Sequence, residues 1–187
     1  MRIISGTMRG TKLFTLEGEN TRPTLDRVKE ALFSKINYKL QDAIVLDLFS
    51  GSGSLALESL SRGAEKSFLC DQSRDAIKII KQNIEKTKTK DRTLLLNCDY
   101  KKAIEEFKEQ KIKFDVVFLD PPYKTNFAEI ATELIIKNKL LNEDGIIIIE
   151  TDEKQKVIEN LNTDLIQIDD IKKYGRVYLF FLSQKAQ

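Results

Sequence analysis

The chain has 187 residues, 41% of them hydrophobic and 32% charged, and a formal net charge of +2. That balance fits one globular domain with a substantial core and excludes a disordered or fibrous chain. No apolar run reaches the roughly 18 residues that a membrane span needs, and without any histidine a Ser-His or Cys-His catalytic pair is impossible.

The N-terminus, MRIISGTMRG, has neither a long apolar segment nor a small-residue cleavage site, so no signal peptide is expected. The expected compartment is the cytoplasm, with Cys70 and Cys98 as reduced core thiols. Two thiols and no imidazole make a poor zinc site, and no metal is expected. Charge is unevenly placed: residues 1–39 hold eight bases against four acids, +4, which leaves −2 for the rest. A basic arm on a near-neutral body suits a nucleic-acid contact, or a merely solvated face.

In chain order, RIISGTMRGTKLFTL (2–16) reads as a short β-hairpin with Gly6 and Gly10 at its turns. TLDRVKEALFSKI (24–36) reads as a helix, with Val28, Leu32 and Ile36 on one face and Thr24, after Pro23, at its N-cap. From Ala43 onward short apolar runs alternate with amphipathic stretches. AIVLDLF (43–49), KSFLC (66–70), RTLLLNC (92–98), DVVFLD (115–120) and GIIIIE (145–150) suit strands buried on both faces of a parallel sheet. Helices are expected over 54–63, ending at Gly63, over 73–86, capped by Ser73, and over 100–110, 126–141 and 153–161. DLIQIDDI (164–171) and RVYLFFL (176–182) read as a closing hairpin at one sheet edge, with Gly175 in its turn. The expected fold is α/β: a doubly wound, mainly parallel seven-stranded Rossmann-like sheet with an N-terminal hairpin-plus-helix annex. One domain spans 1–187, with the basic annex at 1–39 and the catalytic sheet at 40–187.

LDLFSGSGSLALE places Gly51 and Gly53 between a strand and a helix, with small Ala56 three residues on, in the context a G-x-G-x-x-G/A turn requires. Glycines there permit close backbone approach, and the next helix offers free N–H groups to an anionic group. Asp71, 20 residues beyond Gly51, sits where an acid accepts from both hydroxyls of a ribose, or is an ordinary solvated acid. Asp99 suits an adenine amine or a helix cap; Asp47 suits loop orientation or an ammonium group. With Asp120, four strand ends place acids along one carboxyl edge, where α/β sheets bind ligands. An acid-rich edge fits the cationic S-adenosylmethionine better than a pyrophosphate, although NAD would also use the glycine turn and Asp71.

The segment FDVVFLDPPYKTNF (114–127) decides between them. Proline cannot donate to a sheet ladder, so the strand stops at Asp120. An exocyclic base amine is a poor nucleophile because its lone pair is delocalised into the ring. The Asp120 carboxylate and the Pro121 carbonyl, held by Pro122, would accept its hydrogens and aim the lone pair, a task that tolerates little misalignment. Tyr123 offers a flat face for the base.

LDLFSGSGSLALESLSRGA, FLDPPY and TRPTLDRVKEALF together resemble the bacterial 16S ribosomal RNA guanine-N2 methyltransferases, class I enzymes dependent on S-adenosylmethionine. RIISGTMRGTKL and KKYGRVYLFFL fit as well, so the resemblance spans nearly the whole chain. It implies methyl transfer from S-adenosyl-L-methionine, leaving S-adenosyl-L-homocysteine, to a guanine exposed on the assembled or assembling small subunit. Asp120, Pro121, Pro122 and Tyr123 would be catalytic. Asp47, Phe49, Gly51, Gly53, Asp71, Gln72, Asp99 and Tyr100 would hold the cofactor, with Arg22 and Thr24 at its entrance. Arg2, Arg9, Lys12 and Arg27 would meet ribosomal RNA, and the chain is expected to be a monomer. The alternatives are an adenine-N6 DNA methyltransferase, a dinucleotide-binding oxidoreductase and a non-catalytic RNA-binding chaperone. Only 67 residues separate Gly53 from Asp120, which leaves no room for a DNA-recognition domain between them.

Overall fold

The computed structural model describes residues 1–16, 23–122 and 124–185, with backbone alone for residues 23–25. Apolar runs and amphipathic stretches alternate as helix α1 (Pro23–Ile36), strand β1 (Ile44–Asp47), α2 (Ser54–Ser61), β2 (Lys66–Cys70), α3 (Arg74–Thr87), β3 (Thr93–Leu96) and α4 (Tyr100–Glu109). They continue as β4 (Phe114–Leu119), α5 (Phe127–Lys137), β5 (Leu141–Thr151), α6 (Lys154–Asn160), β6 (Ile166–Tyr174) and β7 (Val177–Gln184). The sheet order is β3-β2-β1-β4-β5-β7-β6, parallel from β3 to β5, with β7 antiparallel to both β5 and β6. The chain order reverses between β1 and β4, and the crevice at such a switch point is where this architecture binds ligands.

Each sheet face carries its own core. Val45, Val116, Phe118, Ile146 and Ile148 pack under α1, α2 and α3; Leu46, Val117, Leu119, Ile147 and Ile149 pack under α4, α5 and α6. Alternation along each buried strand makes this split. On the second face Phe68, Phe107 and Phe114 meet edge to face at centroid distances of 5.1–5.5 Å. Helix α1 docks through Val28, Leu32, Phe33 and Ile36, all buried. Each such side chain withdrawn from water contributes about 1.5–3 kcal/mol.

The seven-stranded doubly wound sheet agrees with the sequence, and β6 and β7 form the closing hairpin, with Tyr174 opposite Val177 around Gly175. Strand β7 lies inside the sheet between β5 and β6, so of the hairpin's two strands only β6 is an edge. Strand β5 starts earlier than 145–150, at Leu141, and the pairing is irregular between Phe114 and Val116 of β4. The helix expected over 126–141 stops at Lys137.

The annex is a short hairpin: Ile3 N–H donates to the Thr11 carbonyl at 3.0 Å, Gly10 N–H to the Ile3 carbonyl at 2.8 Å and Leu13 N–H to the Met1 carbonyl at 3.0 Å, around one antiparallel bridge from Arg2 to Lys12. The loop that joins its two arms is held by α2. Ile4 and Ser5 donate to the Glu58 carboxylate at 2.8 and 3.0 Å, Thr7 to the Ser61 carbonyl at 2.8 Å and Met8 to the Ser61 hydroxyl at 2.9 Å. Gly6 lies so close that a Cβ there would sit 1.8 Å from the Ser61 carbonyl oxygen.

Candidate active site

The loop after β1 is tied on every side. Ser50 Oγ donates to the Asp47 carbonyl at 2.7 Å and accepts from Cys70 N at 3.1 Å. Gly51 N–H donates to Asp71 Oδ2 at 2.9 Å, and Asn83 Nδ2 donates to the Ser52 carbonyl at 2.9 Å. Gly51 and Gly53 have φ of 53° and 77°, where a Cβ is unfavourable, and a Cβ on Gly53 would meet Leu69 Cδ2 at 3.0 Å. The turn therefore needs its glycines both for conformation and for packing against β2 and α3.

The four acids gather along one edge. Asp47 is the last residue of β1, Asp71 and Asp120 directly follow β2 and β4, and Asp99 caps α4 by accepting from Lys101 N at 2.9 Å. Asp71 divides its carboxylate between Gly51 N–H and Ser73 N–H, the latter at 2.8 Å on Oδ1. Each carboxylate oxygen has a second lone pair, so an acceptor for ribose hydroxyls persists. Asn97 Nδ2 steadies the same corner by donating to the Asp71 carbonyl at 2.9 Å, and Gln72 beside it is exposed.

Asp47 is 1% exposed, and its Oδ2 has no hydrogen-bond partner among the described residues. Burial, opposed by the Ala56 N–H and aided by the nearby Asp71 charge, pushes its pKa up to about 7. The Tyr100 hydroxyl is likewise buried without a partner among the described residues. Buried polar atoms left unmade cost about 1–3 kcal/mol each, and both point to a bound group that supplies donors and acceptors. An ammonium beside Asp47 and a polar base beside Tyr100 meet that need, so the residues fit S-adenosylmethionine. Phe49, Tyr100 and Phe127 form an aromatic wall, with centroids 5.2–6.4 Å apart. Phe127 carries no motif in the sequence; only the return of α5 brings it there.

Beyond β4, Asp120 is exposed at the head of the Pro121–Pro122 turn, and the Thr125 hydroxyl closes that turn by donating to the Pro122 carbonyl at 2.8 Å. Tyr123 and Arg22 lie outside the described residues, as does the side chain of Thr24. Cys70 and Cys98, the neighbours of Asp71 and Asp99, are free thiols 3.9 Å apart, and burial pushes both thiols up. No group of three or more candidate metal ligands occurs among the described residues.

Of the four bases assigned to RNA, Arg2 is engaged with Asp26 at 3.3 Å, while Arg9, Lys12 and Arg27 are exposed. Arg2, Ser5, Arg9, Glu30, Ser34 and Arg62 border a groove of about 400 Å³. Arg62 pairs with Glu58 at 2.8 Å. Sequence reading missed Glu58, which is fully buried and also pairs with buried Lys29 at 3.0 Å. Lys29 donates to Ser54 Oγ at 2.8 Å, so this network runs from the annex to the first residue of the cofactor-side helix. The only signal was the i,i+4 spacing of Glu58 and Arg62.

The model of the family described as Conserved hypothetical protein 95 matches residues 1–183. YlbH of Bacillus subtilis is 36% identical over 166 residues, 89% of this chain and 90% of the relative. Ribosomal RNA small subunit methyltransferase D of Haemophilus influenzae is 36% identical over 168 residues, 89% of this chain and 86% of the relative. The solved structure of yhhF from Escherichia coli superposes with a TM-score of 0.82 at 30% identity, covering 100% of this chain and 99% of that one. The fold is that of Rossmann-like class I methyltransferases.

Proposed function

This chain belongs to the Conserved hypothetical protein 95 family together with small-subunit ribosomal RNA methyltransferases, and on that premise we propose that it methylates the exocyclic N2 of a guanine in small-subunit ribosomal RNA. The observation that carries the reading is the placement of Asp120, Pro121 and Pro122 directly across the switch point from the Gly51–Gly53 turn. S-adenosylmethionine, when bound, supplies the methyl group. Gly51, Asp71 and Asp99 hold its nucleoside and Asp47 its ammonium, with Phe49, Gln72 and Tyr100 around them and Arg22 and Thr24 at the entrance.

Asp120 and the Pro121 carbonyl accept the two hydrogens of the guanine amine, drawing the nitrogen toward tetrahedral geometry. As the new N–C bond forms, the amine gains positive charge and its hydrogens become more acidic. The carboxylate interaction therefore strengthens in the transition state, which lowers the barrier beyond mere binding. The surplus proton passes from the amine to Asp120, which is exposed to water. Tyr123 stacks on the base, while Arg9, Lys12 and Arg27 meet backbone phosphates beside it. The substrate is the RNA within the small subunit, where a protruding loop can reach the cleft.

The test is mass mapping of methyl groups on small-subunit RNA, naked and assembled, after incubation with S-adenosylmethionine. N2-methylguanosine in the assembled particle is the expected product. N6-methyladenosine, or no methylation of either substrate, would sink the reading.

A further inference from the structure

Strands β4 and β5 run parallel with Leu119 beside Ile149. The next positions along this ladder are Asp120, the first residue of the catalytic turn, and Glu150. Side chains alternate along a strand, so Glu150 follows Ile146 and Ile148 onto the face that α1 covers. There its ladder partner on β7 is Leu179, buried in the same core. Burial pushes the Glu150 carboxyl pKa up. Ile146 and Ile148 are buried, whereas Glu150 is half-buried at the strand's end. An acid at this position, beside the turn that holds the reacting amine, is placed to receive a donor.

Guanine has such a donor. Its N1–H stands next to the exocyclic N2, whereas adenine has a bare N1 lone pair at the corresponding edge position. Strand β4 has two neighbours, and since β1 carries the glycine turn, β5 is the one left to meet the N1–H of a guanine whose N2 is held by Asp120 and the Pro121 carbonyl. We infer that Glu150 is a specificity-determining residue, whose carboxylate accepts the N1–H of the target guanine and so selects guanine over bases with an unprotonated N1. The inference rests on the function proposed above and supplies the base selectivity that Asp120 cannot, because Asp120 addresses only an amine.

The experiment uses small subunits assembled with either guanine or 2-aminopurine at the position that the wild-type protein methylates. 2-Aminopurine keeps the exocyclic amine but has a lone pair in place of the N1–H. Wild-type protein should prefer guanine in kcat/KM by about tenfold or more, the size of one good directional contact. Glu150→Gln can turn its amide N–H toward the bare N1, so the guanine-to-2-aminopurine ratio should fall about tenfold. Glu150→Ala should lose guanine methylation with little change on 2-aminopurine. Cofactor-induced thermal stabilisation should persist in both variants, which separates base reading from a structural role. Wild-type methylation of guanine, with a base ratio unmoved by either substitution, overturns the Glu150 assignment and leaves the proposed function standing. So does a parallel loss of cofactor binding and of activity on both bases. A wild-type protein that methylates no guanine overturns the proposed function, and this assignment with it.

Discussion

Asp71 holds the Gly51 N–H at 2.9 Å while its other oxygen holds Ser73 N–H at 2.8 Å, so one carboxylate braces both the glycine turn and the start of α3. Asp71→Ala should therefore do two things. It should remove most of the roughly 2–4 kcal/mol by which saturating S-adenosylhomocysteine stabilises the fold, and it should cost about 1–2 kcal/mol without ligand as two backbone donors lose their acceptor. Asp71→Asn should be nearly as damaging, since its amide N–H₂ would face one of those donors. Denaturant titration with and without ligand checks both; a full ligand shift in Asp71→Ala would falsify the assignment.

Asp47 predicts a pH dependence. Its pKa in the fold, about 7, lies above the ordinary 3.8. The neutral acid thus favours the ligand-free fold, a contribution complete below about pH 4 and lost as pH rises through about 7. A cofactor ammonium needs the ionised form, so binding should release a proton below about pH 7, and affinity should rise to a plateau above it. Asp47→Asn should flatten that rise and abolish the proton release. Calorimetric titrations in buffers of different ionisation enthalpy measure the released proton directly, and equal heats across buffers at acidic pH would count against the ammonium contact.

Asp120→Ala should lower kcat on the order of a hundredfold or more while cofactor affinity stays nearly intact, because the cofactor is held by other acids. Tyr123→Ala should lose about 1–3 kcal/mol of base stacking, spread over KM and kcat, and Tyr123→Phe should be mild. Single-turnover methylation at saturating cofactor resolves the three variants. Near-normal turnover by Asp120→Ala would end the proposed mechanism.

Glu58 accepts from Ile4 and Ser5 N–H, Lys29 and Arg62 while fully buried. Glu58→Ala leaves a buried lysine uncompensated and should cost about 3–5 kcal/mol. Lys29→Met should be milder than Glu58→Ala, because it removes the charge instead of stranding it. Urea unfolding of both variants gives the order; the reverse order would show that the annex is not anchored through this carboxylate.

Arg9 and Lys12 carry the electrostatic prediction. Each neutralised phosphate contact should lower the salt slope of RNA binding by about one unit, with cofactor affinity unchanged. Arg2 should contribute less, since Asp26 already engages it at 3.3 Å. Filter binding over a salt series reads the slope, and an unaltered slope in Arg9→Ala/Lys12→Ala returns these residues to a solvated face.

The alternation of strand and helix, the glycine turn and the acids that end four strands were all readable from residues 43–150, because each depends on local periodicity or on a short motif. Asp120, Pro121 and Pro122 announce themselves by the chemistry of adjacent residues. Contacts between distant segments were not readable. Nothing local to RIISGTMRG shows that the N–H groups of Ile4 and Ser5 find Glu58, the long-range choice that docks the short hairpin on α2. The burial of Asp47, the aromatic wall completed by Phe127 and the placement of Glu150 beside Asp120 depend on strand order and register. Those are set by how two cores pack on one twisted sheet, and a one-residue slip would turn Glu150 to the other face.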